Sequence, residues 1–192
     1  TGFTENVSAD VRAKFQDLKK QGMKRLVLDL RGNGGGLMSE AVNIVSLFVP
    51  KGSLVVSSKG NTPGSYREYR TESEPIDSEI PIIVMIDSGS ASASEIIAGA
   101  LQDMDRATIM GKRSYGKGLV QSIRPTAYNG QIKVTTAKYY TPSGRCVQAI
   151  DYSNRNEDGS VGYVADSLKK EFKTAPKPQT TDVTFDVMID SI

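Results

Sequence analysis

Ser92 and Lys117 are the two residues of this sequence whose types and surroundings could support nucleophilic catalysis. Ser92 lies in the stretch GSASASE at residues 89–95, and Lys117 lies in YGKG at residues 115–118. A serine hydroxyl needs a base to become a nucleophile, and histidine is the usual one. The chain contains no histidine, which excludes a Ser-His-Asp triad within it. A lysine amine is the obvious replacement, because Ser-Lys variants of the same chemistry exist.

Both residues also have ordinary structural interpretations. Ser92 and Glu95 have the spacing of a capping box, and Ser90 could equally cap the helix that follows. The same helix N-terminus would, however, place free backbone N–H groups beside the hydroxyl, where they stabilise a developing negative charge. Lys117 could be a solvated turn lysine. The glycines on either side of it and the apolar strand after them favour a position nearer the core, where an amine gives up its proton more readily.

A glycine-rich segment, LDLRGNGGGL at residues 28–37, follows an apolar run and precedes a helix-like one. Its backbone N–H groups could point at an anion or an oxyanion. A tight turn that needs positive φ is the alternative interpretation, since glycine-rich turns are common. The segment lacks both the Gly-Lys-Ser/Thr ending of a Walker loop and the Rossmann glycine spacing.

The composition is that of an ordinary globular domain, with 38% hydrophobic and 24% charged residues. A length of 192 residues suits one substantial core and is marginal for two. The net charge of +2 and the lack of a basic run do not indicate a nucleic-acid partner. No apolar stretch reaches the length of a membrane span, no signal-peptide pattern opens the sequence, and the single Cys146 excludes an internal disulfide.

Hydrophobic periodicity predicts alternating helices and strands. Helices are predicted from Ser8, as the cap, to about Gln21, over 37–48 and over about 91–104. Strands are predicted over 25–30, 54–57, 65–69, 80–86, 107–110, 119–123 and 132–140. The last three would close the sheet, and a late strand is predicted over 183–188, beyond a polar stretch. This alternation indicates a layered α/β fold, in which active sites gather where strands lead into helices.

Four motifs taken together resemble the carboxy-terminal processing peptidases, also called tail-specific proteases. They are LDLRGNGGG at 28–36, SASASEI at 90–96, GKGLVQ at 116–121 and KYYTPSGR at 138–145, in the family's order. The match covers roughly residues 4–150 and is far more specific than any one motif. The resemblance implies a layered ClpP/crotonase-like α/β core of mixed β-sheet with flanking helices. It also implies a serine endopeptidase with a Ser-Lys dyad, and neither a cofactor nor a metal.

The resemblance assigns roles to individual residues. Ser92 would be the nucleophile and Lys117 its general base, at the spacing that the family shows. Gln121 matches the family's glutamine, which positions the lysine amine by a hydrogen bond.

An oxyanion hole is implied at the same place. Its donors would be the backbone N–H of Ala93 and that of Gly35 or Gly36, between which the sequence does not decide. Arg31 and Asn33 are expected to brace the glycine-rich loop rather than to do chemistry.

The resemblance also sets expectations for the whole protein. Residues 1–152 would be the protease catalytic core, and 153–192 a polar C-terminal segment with a linker and a late strand belonging to the core. These enzymes usually carry a PDZ domain that binds the substrate's C-terminal tail. Nothing before Ser8 encodes one, so the chain is expected to be the catalytic core alone or a fragment. The implied substrates are proteins or peptides with apolar C-terminal tails, and the implied location is the bacterial cell envelope; the oligomeric state is not readable.

Two other classes of function use related cores. A non-proteolytic ligand- or peptide-binding module is one alternative, but a binder has no need for a serine, a lysine and a glutamine in the family's positions. A crotonase-like acyl-CoA enzyme is the other, since it also uses two backbone N–H groups as an oxyanion hole. The absence of a basic cluster suited to the CoA phosphates weighs against it.

Overall fold

The computed structural model describes residues 2–164 and 188–189. The helices are α1 Val7–Lys20, α2 Met38–Ser46 and α3 Ala93–Asp103. The strands are β1 Leu26–Asp29, β2 Leu54–Lys59, β3 Arg67–Arg70, β4 Ile82–Ile86, β5 Thr108–Gly111, β6 Leu119–Pro125, β7 Gln131–Tyr140, β8 Ile150–Arg155, β9 Val161–Tyr163 and β10 Met188–Ile189. The predicted helices and strands up to residue 140 are therefore all present, with ends that differ by at most two residues.

Parallel strands form the sheet that carries both glycine- and serine-rich segments. Its order is β10-β1-β4-β5, and β1 pairs with β4 over its whole length. All four residues of β1 are buried, as expected for a parallel strand covered on both faces. The layered α/β architecture predicted from the sequence is confirmed.

A second sheet is antiparallel, with the order β3-β2-β7-β6. The strands β6 and β7 were expected to close the first sheet, and this expectation is wrong. They form a hairpin that joins β2 instead, through pairs such as Ser58 with Tyr139. Both strands are largely exposed, so hydrophobic pattern alone could not assign them to a sheet.

The N-terminus of α1 also differs from its prediction. Asn6, with φ of 69°, occupies the N-cap position instead of Ser8. Asparagine tolerates this left-handed conformation better than most residues. Ser8 lies inside the first turn, where its N–H donates to the Glu40 carboxylate at 2.8 Å.

Residues 150–163 are more structured than their polar sequence suggested. β8 and β9 pair as an antiparallel hairpin that crosses the expected boundary at residue 153. The strand predicted over 183–188 lies mainly outside the described residues, while Met188–Ile189 pair with β1. Within the described part of the chain, no helix combines the length and the apolar character that a membrane crossing requires.

The helices pack against the parallel sheet around an apolar core, to which β2 also contributes. Phe15 of α1 and Phe48, just after α2, are 2% and 1% exposed, and their rings meet edge to face with centroids 5.4 Å apart. Aromatic pairs in this arrangement contribute beyond the area that they bury.

We expect Phe15→Ala to lower the free energy of unfolding by about 3–5 kcal/mol, because the cavity cannot fully collapse. Tyr128→Ala, at a fully exposed position in the β6–β7 turn, serves as the control and should stay within about 0.5 kcal/mol of the parent. Urea denaturation followed by circular dichroism measures both. Equal stability of the two variants would show that Phe15 does not belong to the core.

Candidate active site

The glycine-rich loop and the Ser92 turn lie side by side. They follow β1 and β4, which are parallel neighbours with Asp29 opposite Met85. The N–H of Leu30 extends this pairing by donating to the Met85 carbonyl at 2.9 Å. Both loops therefore leave the same edge of the sheet, where functional sites of α/β folds usually form.

The three serines of the turn have different surroundings. Ser90 is fully buried, and its hydroxyl donates to the Leu30 carbonyl at 2.7 Å. Ser94 is also fully buried and donates to the Asn33 carbonyl at 2.9 Å. Both hydroxyls thus fasten the turn to the glycine-rich loop. Ser92 lies between them and is only partly buried, which leaves it the one serine of the three that a substrate could reach.

The Asp87 carboxylate joins the two loops from outside. Its Oδ1 accepts the N–H of Gly32 and that of Gly89, each at 2.9 Å. These hydrogen bonds, that of Gly32 foremost, hold the pKa of Asp87 below its ordinary value although desolvation acts in the opposite direction. The stabilisation that the carboxylate contributes is therefore present above its ordinary pKa and lost as pH falls through the lowered value.

Arg31 and Asn33 brace the glycine-rich loop, as expected. The Arg31 guanidinium binds the buried Asp29 carboxylate through two nitrogens, at 2.6 and 2.9 Å. The side-chain bond to Arg31 is the main cause that lowers the pKa of Asp29. Asn33 is fully buried, and its Oδ1 accepts the N–H of Gly35 at 2.9 Å.

Ser92 has a backbone conformation that is rare for any residue except glycine. Its φ and ψ are 57° and −114°, at the N-cap of α3. Such a conformation costs on the order of 1–3 kcal/mol and persists only where the surroundings enforce it. The capping box predicted from the sequence is present, with the Ser92 N–H donating to the Glu95 carboxylate at 2.8 Å. Ser92 therefore caps α3 while its side chain stays partly accessible.

The backbone N–H groups of Ala93, Gly35 and Gly36 belong to the two loops that meet at Ser92. Ala93 is the first residue of α3, so its N–H has no partner within the helix. A Cβ on Gly35 would lie 2.8 Å from both the Ser92 Cβ and the Ala93 nitrogen, which shows how closely this glycine approaches the turn. The Gly35 N–H is taken by Asn33. The Gly36 N–H is exposed and has no acceptor among the described residues.

Glu95 connects the serine turn to the lysine loop. Its carboxylate is 4% exposed and accepts four hydrogen bonds. Oε2 accepts the N–H groups of Ser92 and Lys117, each at 2.8 Å. Oε1 accepts the N–H of Gly116 at 2.6 Å and the Ser114 hydroxyl at 2.7 Å. The sequence indicated only a capping role for Glu95, because no pattern in it links this residue to a loop some twenty positions further on.

Lys117 and Gln121 are the remaining predicted site residues. Lys117 is partly buried, and its backbone N–H is the group that donates to Glu95. Gln121 is exposed on β6, where it pairs with Thr135 of β7. The described residues include no hydrogen-bond partner for its amide, so its role toward the lysine stays a prediction.

The arrangement can support acyl transfer. It offers a partly accessible serine, the N–H of Ala93 directly after it, the N–H of Gly36 in the adjoining loop, and a lysine whose backbone N–H donates to the same carboxylate oxygen as that of Ser92. Within the part of the chain that the structure describes, there is no cluster of three or more metal-ligating side chains (cysteine, aspartate or glutamate) that could bind a metal ion.

We expect Ser92→Gly to be more stable than Ser92→Ala by about 1 kcal/mol, because glycine adopts positive φ without strain. At Ser94, inside the first turn of α3, the order should reverse, because glycine weakens a helix. Urea denaturation of the four variants tests this pattern. The same order at both positions would show that Ser92 is not strained.

We expect Glu95→Gln to destabilise the protein by about 2 kcal/mol or more, because the new amide group faces N–H donors that it cannot accept from. The matched control is Glu40→Gln, since Glu40 is also buried but accepts one hydrogen bond among the described residues, from Ser8. Thermal and urea unfolding would measure both. A Glu95→Gln variant as stable as Glu40→Gln would contradict the four-donor geometry.

Known proteins resemble this chain over most of its length. A family model described as peptidase family S41 matches residues 1–153. A carboxy-terminal-processing protease of Bartonella bacilliformis is 45% identical over 152 residues, which are 77% of this chain and 35% of that protein. A chloroplastic C-terminal processing peptidase of Tetradesmus obliquus is 40% identical over 151 residues, 79% of this chain and 32% of the relative.

A solved structure gives the same result. A photosystem II D1 C-terminal processing protease superposes with a TM-score of 0.70 and 38% identity, covering 77% of this chain and 38% of that one. The chain thus spans about a third of the length of these relatives. Because the family model covers most of the sequence and the aligned segments of these relatives are 40–45% identical to it, the chain belongs to peptidase family S41.

Proposed function

We propose that this chain carries the active site of a serine endopeptidase that processes proteins near their C-terminus, with Ser92 as nucleophile and Lys117 as general base. The observation that supports it best is the shared carboxylate oxygen of Glu95. The backbone nitrogens of Ser92 and Lys117 each lie 2.8 Å from that one atom. Two residues separated along the chain are thereby held as neighbours, as a nucleophile and its base must be.

The reaction follows from these positions. The neutral Lys117 amine takes the proton of the Ser92 hydroxyl while Oγ attacks the carbonyl carbon of the scissile peptide bond. The carbonyl oxygen becomes an oxyanion in the tetrahedral intermediate. The C–N bond then breaks, and the leaving amine receives the proton from the Lys117 ammonium. Water attacks the acyl-serine with Lys117 again as base, which releases the new carboxylate and restores the hydroxyl.

Ala93 and Gly36 are our choice for the oxyanion hole. The Ala93 N–H points from the start of α3, where the helix dipole also favours negative charge. Gly36 is preferred to Gly35 because the Gly35 N–H is already donated to Asn33. Gly35 instead lets the loop approach the Ser92 turn, since a Cβ there would collide with it.

Gln121 would position the Lys117 amine, as the family resemblance implies. Its side chain is exposed on β6, four residues after Lys117. The role predicts a rate effect milder than the loss of Lys117.

The implied substrates are proteins or peptides with apolar C-terminal tails. Relatives from bacteria and from a chloroplast are named for C-terminal processing, and the rest of their length leaves room for a tail-binding domain such as a PDZ domain. We assign the protein to the bacterial cell envelope on the same resemblance. Cell fractionation would test the location, and cleavage of one protein with and without its apolar tail would test the substrate class.

We expect Ser92→Ala, Lys117→Ala and Lys117→Arg each to lower kcat by a factor on the order of 10³ or more. Arginine fails as a base because a guanidinium does not deprotonate in proteins. Hydrolysis by the parent should rise with pH along one limb, because a general base accepts a proton only in its unprotonated form. Peptide cleavage by the full-length protein, measured across pH, tests all of these.

Lys112→Arg is the matched control, since Lys112 is an exposed lysine of the same loop, and it should cleave at the parent rate. An active Lys117→Arg enzyme would end the dyad hypothesis. An active Ser92→Ala enzyme would remove the serine mechanism altogether.

A further inference from the structure

The backbone N–H groups of Lys117 and of the glycines on both sides of it donate to side chains, while the Gly118 carbonyl accepts the N–H of Tyr139 in β7. The N–H of Gly116 donates to Glu95 Oε1 at 2.6 Å, and that of Lys117 donates to Glu95 Oε2 at 2.8 Å. The N–H of Gly118 donates to Gln148 Oε1, also at 2.8 Å. Three successive N–H groups therefore have two buried side chains as their acceptors, Glu95 on one side and Gln148 on the other.

Gln148 is itself fixed in place. It is 6% exposed. Its Nε2 donates to the Ile150 carbonyl at 2.9 Å, at the start of β8. Because a glutamine amide has one donor end and one acceptor end, this second bond turns the acceptor oxygen toward Gly118. The amide thus links the lysine loop to the β8–β9 hairpin.

The two segments also fit against each other without spare room. A Cβ on Gly118 would lie 2.6 Å from the backbone nitrogen of Gln148, and a Cβ on Gly116 would collide with the Ala149 side chain. The Ala149 N–H donates to the Gly116 carbonyl at 3.0 Å. The glycines that flank Lys117 are therefore explained by close contact with residues 148–149.

We propose that Gln148 is a positioning residue for Lys117, acting opposite Glu95 to hold the lysine loop at the distance from Ser92 that proton transfer needs. This inference rests on the proposed function. Loss of the Gln148 acceptor leaves the buried Gly118 N–H without a partner, and the loop moves to satisfy it. A displacement of about 1 Å at a reacting group can cost on the order of 10²-fold in rate.

Three variants of the full-length protein test the proposal. Gln148→Met keeps the side-chain length but removes the acceptor, whereas Gln148→Glu keeps an acceptor oxygen for Gly118. Gln102→Met is the matched control, because Gln102 accepts a bond from Arg145 elsewhere in the fold. We expect Gln148→Met to lower kcat by roughly 10- to 100-fold with KM unchanged. The pH at which the rate of hydrolysis rises should also change. Gln148→Glu should recover most of the rate, and Gln102→Met should keep the parent kcat and pH limb.

A second readout does not depend on hydrolysis. The rate at which an amine-reactive reagent modifies Lys117, followed by mass spectrometry across pH, reports the surroundings of the amine directly. Gln148→Met should change this rate profile, and Gln102→Met should not. Gln148→Asn, too short to reach both partners, replaces Gln148→Met if that variant does not fold.

The outcomes separate the two ideas. Unchanged kcat, pH limb and labelling in folded Gln148→Met, with Ser92→Ala and Lys117→Arg inactive, would overturn the positioning role alone. Hydrolysis by Ser92→Ala would overturn the proposed function, while the labelling profile would still decide whether Gln148 controls the lysine. A loss of kcat in Gln102→Met equal to that in Gln148→Met would also overturn the proposal, because the effect would then be general destabilisation.

Discussion

The buried carboxylate of Glu95 is the interaction on which the site depends. Glu95 is only 4% exposed, and burying a carboxylate costs free energy unless hydrogen bonds replace those it made with water. Here four donors from the serine turn and the lysine loop supply them. The donors depend on the carboxylate in the same way, since without it they would have no hydrogen-bond acceptor. The start of α3 and the loop between β5 and β6 therefore behave as one unit, although twenty-odd residues separate them in the chain.

The rest of the site is strained or tightly packed around that unit. Ser92 keeps a backbone conformation that disfavours every side chain, and the buried hydroxyls of Ser90 and Ser94 hold the turn on both sides of it. Gly35 packs so closely against the turn that any residue type with a Cβ would collide with it. Such an arrangement lowers stability locally and fixes a hydroxyl and its neighbouring N–H groups in one geometry, which is the usual trade between stability and preorganisation.

Local pattern predicted the elements well and their assembly less well. The apolar runs around Leu28 and Val84 identified β1 and β4, because buried parallel strands are nearly all hydrophobic. The same reasoning placed β6 and β7 in the wrong sheet, since strand partners depend on non-local hydrogen bonds and these two strands are mostly exposed. The β8–β9 hairpin was missed because its sequence is polar and carries no alternating pattern.

The sequence by itself determined which chemistry was open to this protein: no histidine, a serine at a strand-to-helix junction, a lysine between glycines, and four motifs that together identified the family. Only the tertiary structure decided how those parts are held. In the folded chain, Glu95 binds the lysine loop as well as capping α3, and Gln148 accepts the N–H of Gly118. The Gly35 N–H donates to Asn33, whereas that of Gly36 has no acceptor among the described residues. The reason is physical: a hydrogen bond between residues 22 or 30 positions apart exists only after packing has brought the chain together, and residue types alone do not record it.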